Sequence, residues 1–223
     1  MSAAAPDYAD MTLEELALAL APAMAEAAVF DGWTDKAIAS AAGIAGLDPD
    51  VARLAFPGGA MDMIAAWVAS VDAAMARGLP AEVLQQMGFS QRIRALVMFR
   101  LEHVAAQREA VRRALAVMAL PQNVVRAARI GWHSADLMWR MAGDTASDFN
   151  HYSKRAILAS IYAATLAVFV DDESPNQTDT YAFLDRRLDD VARFGKAKAR
   201  LAGTGRDRFS MVRLLGRLRY PAR

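Results

Sequence analysis

Apolar residues recur every three or four positions through most of the chain, and short breaks rich in Gly, Pro and Asp interrupt the pattern. That period predicts helices almost throughout. The first runs from Leu13 to Val29 and stops at "FDGW", where Gly32 supplies a turn. Thr34 then caps a short helix, "DKAIASAAG", closed by Gly43. A third is announced by "GLDPDVARLAF", with Asp48 as N-cap and Pro49 at the first helical position, and "FPGG" ends it. Two short helices around a tight Gly-containing turn read as helix-turn-helix. An apolar helix from Met61 to Ala76 leaves this unit and breaks at "RGLPAE". Helices at Ser90 to Gln107, Glu109 to Met118 and Gln122 to Met141 follow, the last two separated by "LPQN". The polar turn "AGDTASD" leads into a long helix from Phe149 to Val170. After "DDESPNQTD" come Thr180 to Leu201, the break "AGTGRD", and a last helix from Arg208 to Tyr220 ended by Pro221.

Composition agrees with the periodicity. Hydrophobic residues make up 55% of the 223, enough for a sizeable core, and only 8% are aromatic. With Ala, Leu, Met, Arg and Glu dominant and β-branched residues thin, the fold class is all-α. The organisation expected is a helix-turn-helix unit over 1–59, a larger helical ligand-binding domain over 60–203 and a basic amphipathic helix over 204–223. The absence of cysteine excludes disulfides, thiolate nucleophiles and cysteine-based metal sites. It fits a reducing, cytoplasmic setting. The N-terminal segment carries Asp7, Asp10, Glu14 and Glu15 without a basic start, unlike a secretory signal or a transit peptide.

The helix from Phe149 to Val170 is apolar on nearly every side, so other helices should enclose it. Its fifteen uncharged residues, Ala156 to Val170, fall short of the about 20 needed to span a bilayer. It is either a central core helix or the wall of a lipid-sized cavity. In the second case Ile157, Leu158, Ile161, Tyr162, Leu166 and Phe169 are its lipid contacts.

Charge changes the picture at the C-terminal end. From Lys196 onward nine basic residues face one acid, Asp207, which gives +8 against −7 for the rest of the chain. In the last helix Met211, Leu214, Leu215 and Leu218 share one face while Arg213 and Arg217 point away. Such a helix either packs on its own domain or lies on an anionic membrane surface.

Candidate chemistry is sparse. The would-be recognition helix begins Asp48-Pro49-Asp50 with only Arg53 behind, placing carboxylates where a phosphate backbone needs donors, so DNA is not the expected partner. His103, His133 and His151 are too scattered for a zinc pair, and Asp148-x-x-His151 is half a di-iron motif without its second half. No nucleophile elbow, phosphate-binding loop or dinucleotide fingerprint occurs. The reading is a protein without catalytic residues, cofactor or metal.

Several unusual, spaced residues point further. The stretch "DLMWRMAGDTASDFNHYSKRAILASIYAATLAVFVDDESPNQTDTYAFLDRRLDDV", with "ALPQNV" and "AFPGGAMDMI" before it, resembles the lipid-binding accessory family of ubiquinone (coenzyme Q) biosynthesis. The resemblance implies a TetR-like fold that has lost its repressor role, binds isoprenoid quinone intermediates and presents them to a di-iron demethoxyubiquinone hydroxylase at the membrane. Carried over by position, it implies docking of the hydroxylase at Met138, Trp139, Asp148, Tyr152 and Arg155, and membrane contact by the final helix. At His151 the chain departs from the mitochondrial member of the family, which has Trp there. The setting implied is the inner membrane of a bacterium or the matrix side of a mitochondrion, and a homodimer stays open. The competing expectation is a TetR-type repressor with a hydrophobic effector.

Overall fold

The computed structural model describes residues 8–144 and 149–203. Among them every regular element is a helix. Asp148 and the final basic segment, with Met211, Arg213, Leu214, Leu215, Arg217 and Leu218, lie outside the described residues.

Helix α1 (Leu13–Asp31) starts with a capping box: the Thr12 hydroxyl accepts from the Glu15 N–H at 3.3 Å, and the Glu15 carboxylate accepts from the Thr12 N–H at 2.9 Å. Helix α2 (Asp35–Ala45) continues through Gly43 and ends at Gly46, whose φ of 69° supplies the left-handed turn that a side chain would resist. Asp48 caps α3 (Pro49–Leu54) by accepting from the Asp50 N–H at 2.8 Å. These three helices meet over buried Leu16, Leu20, Met24 and Ile38.

The larger part comprises α4 (Ala60–Gly78), α5 (Ala81–Leu84), α6 (Phe89–His103), α7 (Arg108–Met118), α8 (Val124–Met141), α9 (Phe149–Asp171) and α10 (Thr178–Gly203). Most bounds differ from the sequence reading by one or two residues, and two differences are larger. The break "RGLPAE" runs into the single turn α5, and α6 stops at His103 before a short 3₁₀ turn, Ala105–Gln107. Trp33 ties the first three helices to the rest: its indole N–H donates to the Ala110 carbonyl at 3.1 Å and its ring lies 5.2 Å from that of Trp67. The described residues divide into two compact units between Leu184 and Asp185. The first holds α1 to α9. The second, from Asp185, continues α10 and carries an Arg187–Asp190 ion pair at 3.4 Å.

Helix α9 packs on α6, α7 and α8 through Leu158, Ile161, Tyr162, Thr165, Phe169 and Val170. It is not enclosed all round, contrary to expectation: Ile157, Ser160, Ala164 and Ala167 form an exposed outer stripe. The reason is size. Alanine and serine add little apolar area at the surface, so the cost of exposing them is small. The helix Tyr152–Asp171 is long and apolar enough to cross a membrane by length and composition, but a third of its most apolar window is buried in this domain. Its C-terminal end is held from α7, where Arg112 and Arg108 donate to the carbonyls of Val170 and Asp172 and Arg112 pairs with Asp171 at 2.5 Å. Cations at a helix C-terminus meet the unpaired carbonyls and the negative end of the dipole.

Candidate functional site

A cavity of about 590 Å³ lies between α4, α6, α7, α8 and α9. Its walls come from helices whose facing residues are either aliphatic or very small. Helix α4 contributes Ile64, Trp67, Val68 and Val71, and α7 contributes Val111, Ala114, Leu115 and Met118. Helix α9 turns Ala156, Ala159 and Ala163 toward the space, spaced three and four apart as one helical face requires. An alanine face opposite aliphatic and aromatic neighbours leaves room that bulkier residues would fill. Where Val124 and Ala128 reach the surface, the apolar lining continues outward: Val124 is 51% exposed.

One end of the cavity is polar. Arg100 of α6 and Asp72 of α4 form a buried ion pair, and Ser134 of α8 completes it. The Ser134 hydroxyl donates to Asp72 Oδ2 at 3.0 Å and accepts from Arg100 Nη2 at 3.3 Å. The guanidinium carbon lies 4.9 Å from the centre of the Tyr162 ring. Burial works against the Arg100 charge, yet Tyr162 and Asp72 beside it hold its pKa above the ordinary guanidinium value. Arg100 Nε is the buried side-chain polar atom that lacks a hydrogen-bond partner among the described residues.

Of the six lipid contacts expected from sequence, Tyr162 and Leu166 line the cavity. Leu158, Ile161 and Phe169 are buried on other faces of α9, and Ile157 is 39% exposed on the outer stripe. Arg100, Asp72, Ser134 and the alanines of α9 were not among the expected residues.

The expected docking positions also separate. Tyr152 is 63% exposed and stacks on Trp132, ring centres 6.1 Å apart. Trp139 is half-buried; its N–H donates to the Lys154 carbonyl at 3.0 Å, and its ring lies 5.3 Å from Phe89. Met138 and Arg155 differ from these two: both are buried, Met138 fully. Arg155 instead bridges Asp136 at 2.5 Å and Asp144 at 3.3 Å, and Lys154 reaches Asp144 at 2.7 Å. Burial pushes the Asp144 carboxyl up, but the two cations bring it below its usual value. The network clamps the end of α8 to the start of α9.

In the helix-turn-helix the first residues of α3, Asp48, Pro49 and Asp50, are exposed. Arg53 is engaged by Asp50 and by Asp35 at 3.4 Å. Among the described residues no three His, Asp or Glu side chains gather as a metal site.

Residues 124–195, from α8 into α10, match the COQ9 family model. The ubiquinone biosynthesis protein COQ9, mitochondrial, of the rat is 34% identical over 181 residues, covering 78% of this chain and 58% of the relative. Its human counterpart is 33% identical, covering 78% and 57%. The chain thus spans a little under three fifths of the length of these relatives. A TetR transcriptional regulator from Nitrosomonas europaea superposes with a TM-score of 0.62 at 22% identity, covering 81% of this chain and 98% of the regulator. Over 124–195 the chain carries a COQ9 family domain, it is similar to COQ9 proteins over most of its own length, and its all-α fold is TetR-like.

Proposed function

We propose that this protein is a non-enzymatic lipid carrier of ubiquinone biosynthesis, which takes up an isoprenoid quinone intermediate and presents it to a demethoxyubiquinone hydroxylase at the membrane. The observation that carries the reading is the alanine-walled cavity of about 590 Å³, within the range of ligand pockets and apolar except at one end. The names of the relatives supply the pathway. Tyr152, Trp132 and Trp139 offer the aromatic surface that a partner protein would use, since such rings dominate interface energetics. The basic sequence from Lys196 onward, with the face Met211, Leu214, Leu215 and Leu218, supplies the membrane contact. DNA is not the partner: the exposed start of α3 is acidic and its arginine is occupied by carboxylates.

The test is association of the full chain with the purified hydroxylase, for wild type and for Tyr152→Ala. The expected result is a complex with wild type, weakened at least about tenfold by the substitution, as loss of an interface anchor implies. A sequence-selective footprint on DNA, together with no complex, would overturn the reading in favour of a repressor with a hydrophobic effector.

A further inference from the structure

Helix α7 ends and α8 begins in the sequence "MALPQNVV", and from Ala114 to Val125 no residue carries a charge. Connections between helices run over the surface and are usually polar. This one leaves Leu120, Val124 and Val125 exposed, Val125 with 65% of its surface. The display is held in place: the Asn123 side-chain amide donates to the Val117 carbonyl at 2.8 Å, and the Asn123 N–H to the Leu120 carbonyl at 2.8 Å. Three large apolar side chains exposed within six residues form a patch of the kind that marks a contact surface.

The surroundings of this corner say what covers it. Val124 lies on the rim of the cavity. Val125 borders a second cleft, about 510 Å³ between α4 and α8, which shares Val68 and Ile130 with the cavity wall. The cleft is polar where the cavity is not, lined by Gln122, Arg126, Arg129 and His133. Arg126 is paired with Asp62, whereas Arg129 is exposed and has no ion-pair or hydrogen-bond partner among the described residues. Asp72, also on the cleft wall, is buried and engaged by Arg100 and Ser134. From Ala110 to Ala135 the sequence contains no acid. A protein partner would be expected to anchor on exposed Trp or Tyr, but the exposed large side chains here are aliphatic. Aliphatic residues beside a free arginine combine apolar insertion with attraction for anionic head groups.

We propose that this corner docks the cavity on an anionic lipid bilayer: Leu120, Val124 and Val125 enter the acyl boundary, Arg129 and its cleft take a lipid phosphate, and the mouth opens into the bilayer. This rests on the reading of the cavity as the lipid site. An apolar lipid then moves between bilayer and cavity without exposing its surface to water, the costly step of such a transfer. The contact belongs to residues 120–129 and is distinct in sequence from the one proposed for the basic C-terminal residues.

The chain has no cysteine, so Val125→Cys gives a single attachment point for the environment-sensitive fluorophore NBD, and Leu120→Cys a second, independent one. Ile44→Cys on α2, at a residue 74% exposed, is the control. Each labelled full chain is mixed with vesicles of phosphatidylcholine, alone or with an equal part of phosphatidylglycerol, and sedimentation reports the bound fraction. With the anionic vesicles, NBD at 125 and 120 should shift to the blue and be quenched by lipids spin-labelled in the acyl chain; NBD at 44 should do neither. In Arg129→Glu about tenfold more anionic lipid should be needed for the half-maximal response at 125, since each charge near the surface counts. Probes at 125 and 120 that stay in water while the protein sediments with vesicles overturn the docking, as does protein that binds no vesicles. An equal response at 44, or at 125 in neutral vesicles, overturns it as well. Titration of the unlabelled chain with decylbenzoquinone in buffer tests the cavity reading by itself, so failure of that reading and failure of the docking are told apart.

Discussion

The Trp132 ring lies against that of Tyr152, with centres 6.1 Å apart and planes inclined by 28°. Trp132 lines the cavity and Tyr152 is 63% exposed, so one stacked pair joins the wall of the pocket to the candidate docking surface. A partner that engages Tyr152 therefore acts directly on the cavity wall. Tyr152→Ala should lower stability by at most about 1.5 kcal/mol, the range for an aromatic pair, while shortening the residence time of bound quinone. Thermal unfolding and stopped-flow dissociation measure the two effects. An unchanged dissociation rate would mean that the stack does not govern the cavity.

The alanine face of α9 should be what makes the space. Ala159→Phe places a ring where Ala156, Ala159 and Ala163 now leave room. Lipid uptake should drop at least about tenfold, with a stability change no larger than the about 1–3 kcal/mol of overpacking. Titration with the alkylquinone and a melting curve check both. Ala164→Phe, on the exposed stripe, should affect neither.

Arg155 should behave as a structural residue. Its side chain is 2% exposed between Asp136 and Asp144, so Arg155→Met removes the cation that joins the two carboxylates and leaves Asp144 with Lys154 and Asp136 with Arg140. Because each carboxylate keeps one cation, the loss should be smaller than the about 3–5 kcal/mol of a buried charge left wholly unpaired. Chemical denaturation should show that loss in the absence of any partner. A variant of normal stability that failed only in complex formation would put Arg155 back on the docking surface.

Asp172 gives the domain an acid sensitivity. It is buried at the start of the turn after α9 and accepts four bonds: from the N–H and hydroxyl of Ser174 at 2.8 and 2.5 Å, and from those of Thr180 at 2.8 and 2.5 Å. Burial pushes its carboxyl up, but these donors outweigh it and hold the folded value well below the usual 3.8. A depressed folded pKa means that the stabilisation is complete above about pH 4 and is lost as pH falls through the folded value. Asp172→Asn should be less stable than wild type at pH 7, and the difference should shrink on acidification. Parallel pH–stability curves for the two proteins would show that the carboxylate charge contributes nothing.

Much of the fold was legible because helical period, caps and breakers agree along the chain, as at Thr12, Asp48 and Pro49. The misplaced stop at Gly43 shows the limit: a glycine within a helix and one that ends it look alike until φ is known, and Gly46 has the positive value. The site was harder to read. Choosing large apolar residues for the pocket favours side chains that fill space, whereas a cavity is walled by those that do not, hence Ala156, Ala159 and Ala163. The Asp72–Arg100 pair had a usable signal: each charge falls on the apolar stripe of its helix, beside Val71 and Met75 on α4 and beside Val97 and Leu101 on α6. A charge on a buried stripe demands a partner. Docking positions assigned by resemblance carried no burial information, which is why Met138 and Arg155 stood beside Tyr152.

As a lipid carrier of ubiquinone biosynthesis, the proposed role, the protein would hold an isoprenoid quinone or its precursor in the cavity. Native mass spectrometry of the full chain, purified from cells that make ubiquinone, tests it most directly when run beside Ala159→Phe. The expected result is a wild-type species carrying one such lipid, identified after extraction, and its loss from the folded variant. Wild-type protein free of isoprenoid lipid, or a folded Ala159→Phe that carries as much as wild type, would contradict it.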